Sequence, residues 1–189
     1  MSKDNEIILR SLSRPAEFGD LFFRYAPRIH RYLARRIGES VADDILSETF
    51  LVAFEKRATF DQSHTNALPW LFGIAINLVH RHRIAEARTF KLAERTAVID
   101  SVDDETRNSD SAVDAAVEVQ RLAGKLRKLN KADRDVLLLY AWEDLTYEQI
   151  GVALGIPTGT VRSRLNRARK ILRSSSTQQE ADHGRVRIA

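Results

Sequence analysis

A chain of 189 residues with 43% hydrophobic and 30% charged side chains can fold as one soluble domain or as two compact ones. It contains no cysteine, which excludes disulfides, thiolate metal sites and cysteine nucleophiles, and suits a reducing cytosol. The formal net charge of +4 is modest but uneven. Residues 98–118 carry Asp100, Asp103, Asp104, Glu105, Asp110, Asp114 and Glu118 against Arg107 alone, whereas a C-terminal stretch is wholly basic, so an acidic linker and a polyanion-binding module are implied.

The first residues place Asp4 and Glu6 ahead of the short apolar run Ile7-Ile8-Leu9, which is not the layout of a signal peptide. The longest mostly apolar run, 70–79, is too short to cross a bilayer, so a soluble cytoplasmic protein without membrane insertion is expected. Phe18, Leu21, Phe22, Tyr25, Ile29, Tyr32, Leu33 and Ile37 recur at three- and four-residue spacing and predict a core helix, with Pro15 placed to open it and Gly38 to close it. From 40 to about 57, Ala42, Ile45, Leu46, Thr49, Phe50 and Ala53 share one helical face. Asp44, Ser47, Glu48, Leu51 and Glu55 fall opposite, so Leu51 points outward among acids.

Residues 59–68 are rich in turn formers and lack apolar periodicity, which predicts a loop. Pro69 then opens a helix that is apolar all round over 70–79, hence central to a bundle, and turns basic at His80-Arg81-His82-Arg83, with Arg88, Lys91 and Arg95 beyond. Residues 100–111 have the polarity of a flexible connector. Val113, Val117, Leu122, Leu126 and Leu129 predict a further helix, and Val136, Leu137, Leu139 and Tyr140 another.

Thr146 and Gln149 form a capping-box pair, and Gly155-Ile156-Pro157 ends that helix in a tight turn, after which Thr158 is placed to cap the next. In this last helix Val161, Leu165, Ala168 and Leu172 form one narrow apolar stripe. Arg162, Arg164, Arg167, Arg169, Lys170 and Arg173 occupy the remaining circumference with no acid among them. Helix, tight turn and cationic helix together are suited to the major groove, although a cationic face also serves solubility alone. The expected fold is all-α: two small helical bundles over 1–97 and 113–173, a flexible acidic linker over 98–112, a helix-turn-helix in the second bundle, and a disordered tail over 174–189.

In this order the pieces resemble the extracytoplasmic-function sigma factors of the sigma-70 family, the small promoter-specificity subunits of bacterial RNA polymerase. The likeness spans nearly the whole chain. Ala42-Asp43-Asp44-Ile45-Leu46-Ser47-Glu48-Thr49-Phe50 resembles the family's core-binding helix, Pro69-Trp70-Leu71-Phe72-Gly73-Ile74-Ala75-Ile76-Asn77-Leu78 its next helix, and 129–172 its C-terminal module. The chain departs from the family near Ser47, where a glutamine is usual, and at His80, where an acid often follows the asparagine helix.

The resemblance implies duplex reading of the upstream, minus-thirty-five promoter element by the second bundle. Thr158, Thr160, Arg162, Ser163, Asn166 and Arg167 stand away from the apolar stripe, and Arg162 and Arg167 suit guanine edges or phosphates equally. It places capture and opening of the downstream, minus-ten element at the loop from Phe60 to Ala67. Asp61, Gln62, Ser63, His64 and Asn66 offer donors and acceptors to a base taken out of its stack. Trp70 either stacks on separated DNA or packs in the core, Asn77 joins the DNA-facing set, and Arg81 and Arg83, with His80 and His82, hold phosphates or form a solvated helix end.

The surface of Asp43, Asp44, Ser47, Glu48 and Leu51 would repel phosphate and fits a protein better. The resemblance names core RNA polymerase, through the clamp helices of its largest subunit and its flap region. It further implies promoter DNA as a partner, an inhibitory anti-sigma factor, no covalent chemistry and no cofactor or metal. His80 and His82 point to different sides of a helix, which does not suit a metal site. Two other classes stand beside this reading. An autonomous helix-turn-helix regulator would normally need dimerisation, and a metal-dependent nuclease using Asp43, Asp44 and Glu48 is disfavoured because adjacent residues diverge by about 100° on a helix.

Overall fold

The computed structural model describes residues 3–64, 66–96, 124, 126 and 128–185, with side chains described as far as Thr89 in the first bundle and Arg173 in the last helix. These residues form α1 (Lys3–Ser13), α2 (Gly19–Ile37), α3 (Glu39–Lys56), α4 (Leu68–Thr96), α5 (Lys131–Glu143), α6 (Tyr147–Leu154) and α7 (Thr158–Arg185). No strand occurs among the described residues, and none of their helices is long and apolar enough to cross a membrane.

The sequence signals did not announce α1. It sends Ile7 and Ile8 into the core and leaves Leu9 and Leu12 exposed, a stripe too short to register as a period. Pro15 opens a 3-10 turn over Pro15–Phe18 that runs into α2, where its missing N–H leaves no unmade bond. Leu21, Ala26, Ile29, Tyr32 and Leu33 of α2 are buried, and Gly38 ends the helix at φ +85°, a conformation that a side chain would strain. In α3 the buried face is Ala42, Ile45, Thr49, Phe50 and Ala53, as the periodicity predicts, while Leu51 is 57% exposed. The middle of α4 buries Leu71, Phe72, Ala75, Ile76, Leu78 and Val79. Asn66 starts this helix, its side-chain oxygen accepting from the Leu68 N–H at 3.1 Å.

In the second bundle Asn130 caps α5 by accepting from the Asp133 N–H at 2.8 Å. The expected capping box opens α6: the Thr146 N–H donates to Gln149 Oε1 at 2.9 Å, and the Gln149 N–H to Thr146 Oγ1 at 3.2 Å. Gly155 closes it at φ +62°. Gly151 is equally constrained, because a Cβ there would stand 2.8 Å from the Ile156 carbonyl oxygen in the turn. Thr158 is the first helical residue of α7 rather than its cap. The Pro157 carbonyl starts the ladder, accepting from the N–H groups of Thr160 at 2.9 Å and Val161 at 3.1 Å.

The linker expected over 98–112 and most of the helix expected from Val113 to Leu129 lie outside the described residues, although Gly124, Leu126 and Lys128 are helical. The tail expected to be disordered from 174 is helical to Arg185. No proline interrupts this polar stretch, so a helix already nucleated by the packed half of α7 continues along it.

The two bundles meet, and their apolar residues form one continuous cluster. Arg28, Tyr32 and Arg36, spaced by four on α2, face Glu143, Trp142 and Asp135 of α5. Arg28 Nε donates to Glu143 Oε2 at 2.8 Å, the rings of Tyr32 and Trp142 stand edge to face at 6.1 Å, and Arg36 pairs with Asp135. His80 of α4 approaches the same carboxylate at 2.9 Å. Burial by itself would raise the Asp135 carboxyl, but the hydrogen bond from His80 and the Arg36 charge outweigh it and hold it below the ordinary range. Burial pushes the Tyr32 hydroxyl up to about 12. Farther along, α4 lies so close to α6 that a Cβ on Gly73 would stand 2.5 Å from the Ala153 carbonyl oxygen.

Candidate nucleic-acid interface

On α7 the apolar stripe turns inward as predicted: Val161, Leu165 and Ala168 are fully buried. Thr158, Arg162, Ser163, Asn166 and Arg167 are exposed and Thr160 is half-buried, so the six residues expected to read duplex DNA share the open side of one helix. Two of the neighbouring cations are tied down. Arg167 approaches the fully buried Asp133 at 3.4 Å, and the Arg169 guanidinium lies 5.0 Å from the centre of the Tyr140 ring. Arg162 has Glu148 of α6 near it. The carboxyl of Glu148 is lowered by its own backbone N–H at the helix start, by the Thr146 hydroxyl and by the Arg162 charge.

The loop before α4 is more ordered than its composition suggests. The Ser63 N–H donates to Asp61 Oδ1 at 2.9 Å, which lowers the Asp61 carboxyl, and the His64 N–H donates to the Asp61 carbonyl at 3.2 Å. Phe60 is buried beneath, its ring 5.0 Å from that of Trp70 and 6.2 Å from that of His64. Asp61, Gln62 and Ser63 are exposed, while His64 and Asn66 are half-buried. Trp70 packs against the core and also lines a cleft of about 550 Å³ between the bundles, together with Asn77, His80, Lys131, Asp135 and Arg164. Lys131 and Arg164, the latter noted only as one of the cations of the last helix, were not expected at this cleft, because only the docking of α5 and α7 beside α4 brings them there.

The basic end of α4 divides. Arg81 is exposed and reaches Glu48 of α3 at 2.6 Å. Arg83 donates to the Arg36 carbonyl oxygen at 2.8 Å and lines a second cleft of about 430 Å³ with Ile84, Arg88, Lys131 and Arg134. Burial, and the charges of Arg36 and Arg134, lower the Arg83 guanidinium. On α3, Asp43, Asp44 and Ser47 are exposed and Glu48 is half-buried beside the protruding Leu51, one continuous outward face. Asp43 is paired with His30 at 3.0 Å.

A helix-turn-helix with a cationic outer face, joined to a helical bundle with an acidic one, is the architecture of a two-module transcription protein. The family model for Sigma-70 region 2 matches residues 21–89 and that for Sigma-70, region 4 matches residues 120–172. RNA polymerase sigma factor CarQ of Myxococcus xanthus is 31% identical over 173 residues, covering 89% of this chain and 94% of CarQ. The ECF RNA polymerase sigma factor SigL of Mycobacterium tuberculosis is 29% identical over 154 residues, covering 81% of this chain and 85% of SigL. The chain therefore belongs to the extracytoplasmic-function sigma factors of the sigma-70 family. It is a sigma factor, a non-catalytic subunit that joins core RNA polymerase and directs promoter-specific initiation.

Two solved structures share the fold. CnrH in complex with the cytosolic domain of CnrY matches with a TM-score of 0.64 at 24% identity, over 95% of this chain and 98% of that one. The sigma factor RpoE in complex with the anti-sigma factor NepR from Bartonella quintana matches with a TM-score of 0.61 at 22% identity, over 85% and 97%.

Proposed function

We propose that the exposed side of α7, through Thr158, Thr160, Arg162, Ser163, Asn166 and Arg167, reads the minus-thirty-five element as duplex. The 60–67 loop captures a base of the opened minus-ten element with Asp61, Gln62, Ser63, His64 and Asn66, over a floor made by Phe60. Asn77, Trp70, Arg81 and Arg83 guide the adjoining strand and its phosphates. The α3 face of Asp43, Asp44, Ser47, Glu48 and Leu51 docks on the clamp helices of core polymerase, and the second bundle engages the flap region. The observation that carries this reading is the division of charge by element: α3 shows acids and one apolar side chain, while α7 shows cations and short polar groups.

The docked arrangement sets a requirement. The two promoter elements are about 25 base pairs apart, which is about 85 Å along B-form DNA, whereas α6 rests directly on α4. Polymerase must therefore separate the bundles before both elements are read. The free chain binds promoter DNA weakly, because a tether alone gives the second contact little effective concentration. An anti-sigma factor fits the same logic by holding the chain away from polymerase, and one neighbour of the same fold, RpoE of Bartonella quintana, was solved with the anti-sigma factor NepR. The chain works in the cytoplasm, at the nucleoid with polymerase, and catalyses no reaction itself. Run-off transcription with purified core polymerase over a random-promoter library tests the whole reading. Defined start sites sharing two spaced elements are expected, and initiation unchanged by the chain would refute it.

A further inference from the structure

The match to Sigma-70 region 2 begins at residue 21, so α1 lies ahead of it. Yet α1 carries two deeply buried polar side chains: Asp4 is 3% exposed and Asn5 is 2% exposed. A buried carboxylate is costly unless donors saturate its oxygens. Here Oδ1 takes the Arg24 guanidinium, while Oδ2 accepts from the Tyr25 hydroxyl at 2.5 Å and from the Ala67 N–H at 2.8 Å. Burial, followed by the hydrogen bond to Asp4, pushes the Tyr25 hydroxyl up to about 12, which keeps it a donor. Next to this cluster, Asn5 Nδ2 donates to the Gln62 carbonyl oxygen at 2.7 Å. Two adjacent residues of α1 thus grip the loop at both ends, Asn5 at Gln62 and Asp4 at Ala67, where the chain enters α4. Ser63, His64 and Asn66 stand between the two anchors.

We propose that α1 is a clamp on the 60–67 loop, and that Asp4 and Asn5 are positioning residues that determine how sharply the loop tells one captured base from another. They act through the loop backbone and touch no DNA. The inference rests on assigning that loop to the minus-ten element. A base edge is discriminated by donors and acceptors held at fixed separations. A loop released at Gln62 samples more arrangements and fits the wrong base nearly as well as the right one.

The test uses the full chain assembled with core polymerase. Single-stranded oligonucleotides carry the non-template minus-ten sequence and its single-base variants. Asn5→Ala removes the bond to the Gln62 carbonyl and Tyr25→Phe the bond to Asp4, and Asp4→Asn, which leaves Arg24 without its anion, is the harsher variant. Gln62→Ala and Asn66→Ala probe the loop itself. Asn5→Ala is expected to narrow the affinity ratio between the preferred and next-best base about fivefold, the scale of one lost hydrogen bond. Affinity for core polymerase and for minus-thirty-five duplex stays constant. A merely structural role lowers the melting temperature and all activities together without moving that ratio. If the loop variants change the ratio while Asn5→Ala and Tyr25→Phe leave it alone, the clamp is overturned and the loop assignment stands. If the loop variants also leave it alone, the loop assignment is overturned and the clamp falls with it.

Discussion

Arg162 leaves α7 on the side away from the buried stripe, and Arg167 leaves it with one foot on Asp133. Their replacements should therefore differ in kind. Arg162→Ala is expected to weaken promoter binding by the holoenzyme by about 1–3 kcal/mol with changed base preference if the guanidinium reads a base edge. If it meets a phosphate, binding weakens uniformly and the salt slope falls by about 1. Titrations at several salt concentrations separate the two. Arg167→Ala should additionally lower the melting temperature of the second bundle, because a fully buried carboxylate loses a cation. The turn is as sensitive as the reader it presents. Gly155→Ala places a side chain at φ +62° and is expected to cost about 1–2 kcal/mol of stability, and Thr146→Ala about 1 kcal/mol through the lost cap; both are measured by thermal or denaturant unfolding.

Helices whose ends and faces are set by nearby residues were legible in the sequence. The Thr146 and Gln149 cap, the Gly155 turn, the Val161-Leu165-Ala168 stripe and the outward Leu51 each depend on spacing within one or two turns. What the sequence concealed depends on distant partners. Asp4, Arg36 and Asp135 look like ordinary surface charges until α1, α2 and α5 pack, and only then are all three buried. His80, the departure from the family pattern, is explained the same way, since its neighbour Asp135 comes from the other bundle.

That pairing gives the contact between elements an acid dependence. The Asp135 carboxyl is lowered in the folded chain, so the separated state takes up a proton first as pH falls. The Asp135 contribution to docking should be fully present above the ordinary carboxylate value of about 3.9 and be lost as pH drops through the lowered one. Fluorescence transfer between labels on α3 and α7 reports this, and Asp135→Asn should loosen docking at neutral pH and flatten the acid limb. The contact is also imperfect: Arg36 Nε is the buried side-chain nitrogen that lacks a hydrogen-bond partner among the described residues. Such a group regains water on separation, which suits an interface that must open. On α3, Asp44→Lys with Glu48→Lys is expected to reduce affinity for core polymerase by tenfold or more in a competition assay, with DNA binding by the second bundle unchanged.

At the scale of the whole molecule, the docked bundles and the stretched arrangement proposed for the promoter complex exclude each other, and Gly73 is where docking can be biased. Gly73→Val drives a branched side chain into the Ala153 carbonyl oxygen. Small-angle scattering should show a larger radius of gyration with helix content retained, and a radius matching the unsubstituted chain would show that α4 and α6 need no such closeness. A second junction links the two outer surfaces. Glu48, proposed to face polymerase, and Arg81, proposed to face the DNA backbone, are bound to each other at 2.6 Å, Arg81 exposed and Glu48 half-buried. Surface pairs of this kind contribute about 0.2–1 kcal/mol, so the bond is a light catch. Under the proposed assignment, a basic side chain of the enzyme that took Glu48 would release Arg81 toward the opened strand, so that seating on the enzyme would ready the grip on DNA.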